Sequence, residues 1–202
     1  MHAALQAALN HVLSEDAVAP VAADVATRVH RHFHNRDRIQ TYSTWFDCWD
    51  GRISAAHCVE SAGGRWPYLP AGDHGVLRPN ALDAALLGCE VPRERPAAPV
   101  PGQAVSVFGY PAGSRFLEAR RGSVYARRYP GQWILKIDAP AEPVVVGMSG
   151  GPVIDDATGA VIGILITRNS PAQIDHDPEN DESCDFVPLS AVWDALQAGA
   201  SA

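Results

Sequence analysis

Three residues of types used in nucleophilic catalysis lie in local sequences that could support it. Ser149 belongs to the run Gly147-Met148-Ser149-Gly150-Gly151-Pro152, at a strand–loop junction. Glycines let successive backbone N–H groups converge on one point, which suits an oxyanion hole beside a nucleophilic serine. Taken alone, the run could equally be a glycine-rich turn without chemistry.

The other two residues are a histidine and an acid in apolar surroundings. The stretch Ile53–Val59 is interpreted as an apolar strand that ends in His57, and Asp83 lies inside the apolar stretch Asn80–Leu86. An ionised carboxylate among apolar residues is costly unless it is paired, and His57 could supply the partner. Taken singly, His57 is more often a core or edge residue, and Asp83 more often a cap or turn acid.

In chain order, His57, Asp83 and Ser149 resemble the triad of trypsin-like serine peptidases. The resemblance rests on Ala55-Ala56-His57-Cys58, Asp83-Ala84-Ala85-Leu86 and Gly147-x-Ser149-Gly150-Gly151-Pro152. Weaker matches to the bacterial HtrA-like branch extend it over about residues 40–195, with no room for a PDZ domain.

The resemblance implies a serine endopeptidase that acts on protein or peptide substrates. Ser149 would be the nucleophile, His57 the general base and Asp83 the residue that holds the imidazole tautomer. The N–H groups of Gly147 and Ser149 would bind the oxyanion. Because His57 must be neutral to act as a base, we expect activity to fall as the pH drops through about 6.5–7.

Met148, directly before the predicted nucleophile, departs from the family pattern. Family members activated by proteolysis carry an Asp there, and the HtrA-like branch commonly carries an Asn. A thioether cannot form a salt bridge, so activation by insertion of a new N-terminus is not expected.

The surrounding sequence predicts an all-β fold with short N- and C-terminal helices. The resemblance implies two six-stranded antiparallel β-barrels. The expected organisation is a helical or extended segment (1–35), a first barrel with His57 and Asp83 (36–91), a linker (92–102) and a second barrel with Ser149 and the C-terminal helix (103–202). Four prolines in ten residues exclude a central strand from the linker.

Two local features of the first half allow a more detailed prediction. A strand is favoured from about Val25. Asp50-Gly51 predicts a two-residue hairpin turn, which would place Cys48 opposite Ile53 and Cys58 opposite Ser43. That register argues against a disulfide between the two cysteines and favours free thiols.

Substrate preference is suggested by the position six residues before the nucleophile, which in this family lies at the base of the P1 pocket. That residue is Pro143, followed by Val144, and the wall strand carries Ile164, Leu165 and Ile166. A small or medium aliphatic P1 residue is therefore expected. The acidic segment 175–182 is interpreted as a solvated surface loop. Recruitment of basic substrates and a cation site are the alternatives.

Composition excludes several other classes. The 202 residues are 47% hydrophobic and carry a net charge of −7, which argues against disorder and against nucleic-acid binding. No apolar run is long enough to span a membrane and no secretory segment is visible, so a cytoplasmic location is expected. No metal or cofactor is expected, and the alternating His30, His32 and His34 are interpreted as surface residues.

Two rival functions remain open at this point. One is a catalytically silent trypsin-fold module that binds proteins, and the other is a self-processing serine protease or esterase. Residues 1–24 could contact a regulatory protein partner in any of these cases.

Overall fold

The first half of the chain forms an open antiparallel sheet. The computed structural model describes residues 24–25, 27–36, 39–61, 76–77, 82–138, 144–166 and 183–200. Strand order in this sheet is β1-β2-β3-β5-β4, and helix α1 follows β3. The elements are β1 (Val29–Arg36), β2 (Ile39–Cys48), β3 (Gly51–Ser54), α1 (Ala56–Ser61), β4 (Val76–Leu77) and β5 (Ala85–Leu87).

The second half forms a closed barrel of six antiparallel strands, in the order β10-β11-β8-β7-β6-β9. Its β-branched residues suit a pleated surface with one buried face. On β6, for example, Val105 and Val107 pack into the barrel core and Phe108 packs into the core shared with the sheet. The elements are β6 (Ala104–Gly109), β7 (Glu118–Tyr129), β8 (Gln132–Ile137), β9 (Pro152–Asp155), β10 (Val161–Ile166), β11 (Ser183–Pro188) and α2 (Leu189–Ala200).

The expectation of a mostly β fold with one six-stranded barrel and a C-terminal helix is confirmed. The other six-stranded barrel stays a prediction, because the described strands of the first half form an open five-stranded sheet. The strand expected from about Val25 begins at Val29, and residues 24–25 and 27–28 are helical. Apart from Asp24, the N-terminal segment 1–24 lies outside the described residues.

The predicted hairpin register between β2 and β3 was wrong. The structure pairs Phe46 with Ile53 and Cys48 with Gly51, so the two turn residues are Trp49 and Asp50. Both have φ near 54°, as a type I′ turn requires. Gly51 belongs to the strand instead, because a Cβ there would overlap the backbone of Cys89. None of the four cysteines forms a disulfide.

A shared hydrophobic core joins the two halves. Ile53 and Leu86 from the sheet pack with Phe108 and Ile164 from the barrel and with Leu189 from α2. Displacing one half would expose this apolar surface to water, so the core fixes the position of the sheet relative to the barrel. None of the described helices is long and apolar enough to cross a membrane.

The proline-rich linker contains no strand and is held at its start by α2. The Trp193 indole N–H donates a hydrogen bond of 2.9 Å to the Pro92 carbonyl oxygen. The Arg95 guanidinium donates two hydrogen bonds, each of 2.7 Å, to the two carboxylate oxygens of Asp194. These contacts direct the chain from the sheet to the barrel along a fixed path.

Candidate active site

His57 lies in the first turn of α1, directly after β3, rather than at a strand end. Asp83 lies in the segment that leads into β5. Because β3 and β5 are hydrogen-bonded neighbours, the sheet brings the two residues together. The Asp83 carboxylate accepts hydrogen bonds at both oxygens, 2.6 Å from His57 Nδ1 and 2.9 Å from the His57 backbone nitrogen. A carboxylate can only accept, so Nδ1 carries a proton and the tautomer is fixed.

Burial and pairing act in opposite directions on both groups. The side chains are 28% and 30% exposed. Burial alone would lower the pKa of His57, but the hydrogen bond to Asp83 and the contact with Cys58 outweigh it and raise the pKa to about 10. Burial alone would raise the pKa of Asp83, and the hydrogen bonds from His57 lower it instead. The raised pKa predicts an activity limb at higher pH than the 6.5–7 expected for an isolated imidazole.

Ser149 lies in the loop that leads into β9, and glycines shape that loop. Gly147 and Gly150 have φ of 98° and 87°, in the left-handed region. A Cβ on Gly147 would overlap Tyr110 and Ala112, and one on Gly150 would overlap the backbone of Thr44. Within the described part of the chain, the Gly147 N–H donates no hydrogen bond.

Met148, the residue before the predicted nucleophile, has a structural role in this loop. Its side chain is fully buried in the barrel core. Its backbone N–H donates to the Val145 carbonyl oxygen at 3.1 Å, and its own carbonyl accepts from Gly151 N at 3.0 Å. The thioether thus anchors the loop from inside the barrel.

Thr44, on β2, ties the sheet to the loop and was not singled out by the sequence. Its hydroxyl donates to the Gly147 carbonyl oxygen at 2.8 Å and accepts from Tyr110 N at 2.9 Å. Its backbone N–H donates to the Ser149 carbonyl oxygen at 2.9 Å, and its carbonyl accepts from the Ser54 hydroxyl at 2.8 Å. The available signal was the pair Ser43-Thr44 directly before the apolar Trp45 and Phe46, because buried polar side chains need partners.

Cys58 makes a second connection between the two halves of the site. Its Sγ lies 3.4 Å from His57 Nε2 and 3.7 Å from the Ser149 carbonyl oxygen. The imidazole and the loop that carries Ser149 (residues 147–151, the nucleophile loop) therefore both contact one sulfur atom. With Asp83 on the far side of the ring, the structure brings all three predicted triad residues into one region, between sheet and barrel.

Residues 9–164 match the model of the trypsin-like peptidase domain, which is most of the chain. The chain belongs to the trypsin-like peptidase family. This membership confirms the predicted class, a hydrolase of the serine endopeptidase type. A search of curated proteins found no match.

Solved structures with the same fold include several proteases. This trypsin-like peptidase superposes on the active form of the Rv3671c protease from M. tuberculosis with a TM-score of 0.59 at 20% identity, covering 92% of this chain and 91% of that one. It matches the serine endoprotease from Yersinia pestis with a TM-score of 0.61 at 14% identity, over 92% and 67% of the two chains. Tobacco etch virus protease, solved with product, gives 0.57 at 10% identity, over 95% and 85%.

The residues suggested for the P1 pocket of this peptidase differ in how deeply their side chains are buried. Val144 is half-buried against the barrel core. Ile164 and Leu165 are fully buried, in the shared core and the barrel core respectively, whereas Ile166 is half-buried. Pro143 and the acidic loop 175–182 lie outside the described residues, so the P1 pocket stays a prediction.

His30, on β1 of the open sheet, contacts two side chains of β2. Its ring stacks on Trp45 with centroids 4.0 Å apart, and its Nε2 lies 2.9 Å from an Asp47 carboxylate oxygen. The side chains of His32 and His34 are outside the described set. Among the side chains that are described, no three of the His, Cys, Asp and Glu types gather as metal ligands would.

Proposed function

We propose that this trypsin-like peptidase cleaves internal peptide bonds through His57, Asp83 and Ser149, by way of an acyl-enzyme intermediate. The observation that carries the proposal is the Asp83 carboxylate, which accepts hydrogen bonds from both Nδ1 and the backbone of His57. This arrangement leaves Nε2 as the proton acceptor of the neutral ring, on the side of the ring where Cys58 links it to Ser149.

In the proposed first step, Ser149 Oγ attacks the carbonyl carbon of the scissile bond while His57 Nε2 takes its proton. The carbonyl oxygen becomes an oxyanion and accepts hydrogen bonds from the N–H groups of Gly147 and Ser149. His57 then gives the proton to the leaving amine, and the C–N bond breaks. Water, deprotonated by His57, hydrolyses the ester and restores Ser149.

Rigidity of the nucleophile loop supports catalysis without a zymogen-type trigger. The buried Met148 side chain holds the loop from the barrel side, and Thr44 holds it from the sheet side. Preorganised donors contribute most when no reorganisation is needed at the moment of reaction.

The open sheet of the first half would correspond to the first barrel of the trypsin fold.

An apolar P1 preference is the more specific part of the proposal. Val145 and Val146 are exposed directly before the nucleophile loop, and Val144 is half-buried beside them. Apolar side chains at the mouth of a site favour aliphatic over charged substrate groups.

Residues 1–24 remain our candidate contact for a regulatory protein.

The test is cleavage of a P1-randomised peptide library, read by mass spectrometry, with Ser149→Ala as the matched control. We expect cleavage at internal bonds after aliphatic residues by the wild type and none by the variant. A strong preference for Arg or Lys at P1 would overturn the aliphatic preference.

The rival functions give different results in the same assay series. A silent binding module would cleave neither peptides nor small esters. An esterase would hydrolyse only the esters, and a self-processing protease would shorten only its own chain, as intact mass would show.

A further inference from the structure

The thiol of Cys58 lies within contact distance of Nε2, the proton-accepting atom of the neutral His57 ring. The residue is 7% exposed, and its Sγ contacts both His57 Nε2 at 3.4 Å and the Ser149 carbonyl oxygen at 3.7 Å. No disulfide consumes this sulfur. It therefore has one proton to donate and lone pairs with which to accept.

Proton accounting at this thiol differs between the two states of the ring. When His57 is neutral, Nε2 has no proton, because Nδ1 donates to Asp83. The single thiol proton can then be donated to Nε2 or to the Ser149 carbonyl, but not to both. When Nε2 is protonated, its N–H donates to Sγ and the thiol donates to Ser149. Both contacts are then satisfied together.

We propose that Cys58 is a positioning residue, whose thiol holds the His57 ring against the nucleophile loop by accepting from Nε2–H and donating to the Ser149 carbonyl. The inference rests on the proposed function, since the charged ring that Cys58 would hold is the state formed when His57 takes the Ser149 proton. It assigns a task to a sulfur that neither the triad nor a disulfide uses.

Burial and two titratable groups act on the charge of His57. Burial opposes the charge, and the titratable groups that favour it are Asp83, from the segment before β5, and Cys58, from its own helix. Removing the thiol takes away one of the two groups that oppose the effect of burial on the His57 charge and leaves the Asp83 carboxylate. A hydrogen bond to a charged group typically corresponds to about one pH unit or more, so a shift of about one unit to lower pH is expected.

The primary test is an NMR titration of the His57 ring nitrogens in the wild type and in Cys58→Ala, with His57→Gln used to assign the signals. We expect the His57 midpoint to fall by about one unit in Cys58→Ala. Cys58→Ser should fall between the two, because a hydroxyl keeps the donor and acceptor on a shorter bond. The acid limb of kcat/KM should move by the same amount.

The matched control is Cys184→Ala, which removes another buried thiol, in the barrel core, and should leave the His57 midpoint unchanged. An unchanged midpoint in Cys58→Ala, or an equal shift in Cys184→Ala, would overturn the proposal. If Cys58→Ala does not fold, the serine variant decides, and an unchanged midpoint in that variant would overturn the proposal equally.

Failure of the proposed function can be recognised separately. The NMR titration reads the ring without turnover, whereas reaction of the wild type with a serine-directed probe reads the nucleophile. A shifted midpoint with an unreactive Ser149 would retain the contact of Cys58 and reject the peptidase mechanism.

Discussion

Replacing Asp83 by Asn tests how the carboxylate acts on His57. The amide is nearly the same size, and its oxygen can still accept from the His57 backbone N–H, now 2.9 Å away. Its NH₂ group would face Nδ1, where the carboxylate now accepts at 2.6 Å. Two donors cannot share this contact, so Nδ1 must give up its proton and Nε2 must carry it. The ring then cannot accept the proton of Ser149.

The expected loss can be worked from the geometry. With N and O 2.6 Å apart, the centres of charge of the imidazolium and the carboxylate lie about 4 Å apart. At an effective dielectric constant of about 20, the attraction is about 4 kcal/mol, or about 10³-fold in rate. The wrong tautomer adds to this loss, so kcat/KM should fall on the order of 10⁴-fold; the same change lowers kcat by about that factor in the trypsin triad.

The assay compares kcat/KM on a cleaved peptide, together with thermal unfolding, for the wild type and Asp83→Asn. Asp194→Asn is the matched control, since it removes an acid from an exposed ion pair on α2 and should leave activity unchanged. The reasoning is refuted if the folded Asp83→Asn variant retains activity within about tenfold of the wild type.

Three further predictions concern the His57 base, the contact of Thr44 with Gly147, and the backbone of Gly150. Since a base works only above its pKa and the pKa of His57 is raised to about 10, kcat/KM should still rise between about pH 7 and 9; a plateau already reached at pH 7 would contradict this. Thr44→Val removes the hydroxyl bonded to Gly147 and should cost about 2 kcal/mol in denaturant unfolding, while Thr44→Ser should cost less; equal stability of the two variants would argue against the bond. Gly150→Ala should lower the free energy of unfolding by more than about 2 kcal/mol, because the φ of Gly150 is positive and the new Cβ would overlap β2. Gly113 has a similar φ in open space, so Gly113→Ala should lower the free energy of unfolding by only about 1 kcal/mol. Similar losses in the two variants would exclude the overlap.

The candidate triad was predictable because each member has a local signature. His57, Asp83 and Ser149 each lie in a short run whose residue types limit what the position can do. Their chain order then added information that no single run contains. The pairing of His57 with Asp83 followed from the cost of an unpaired buried carboxylate, and the structure contains that pair.

The details that were missed depend on contacts between distant segments. Thr44 bonds to Gly147 across 103 positions, and no local pattern encodes that distance. The hairpin register was missed because a tertiary contact with Cys89 requires Gly51 in the strand, which leaves Trp49 and Asp50 to form the turn. Tertiary packing overrode a local turn preference in this case.

The preformed nucleophile is tested most directly by intact-mass labelling with a fluorophosphonate probe, which reacts with a serine activated by its base and oxyanion hole. We expect one adduct on the wild type and none on Ser149→Ala, with slower labelling of Asp83→Asn. No adduct on the folded wild type, or an adduct that persists in Ser149→Ala, would contradict a working triad of His57, Asp83 and Ser149.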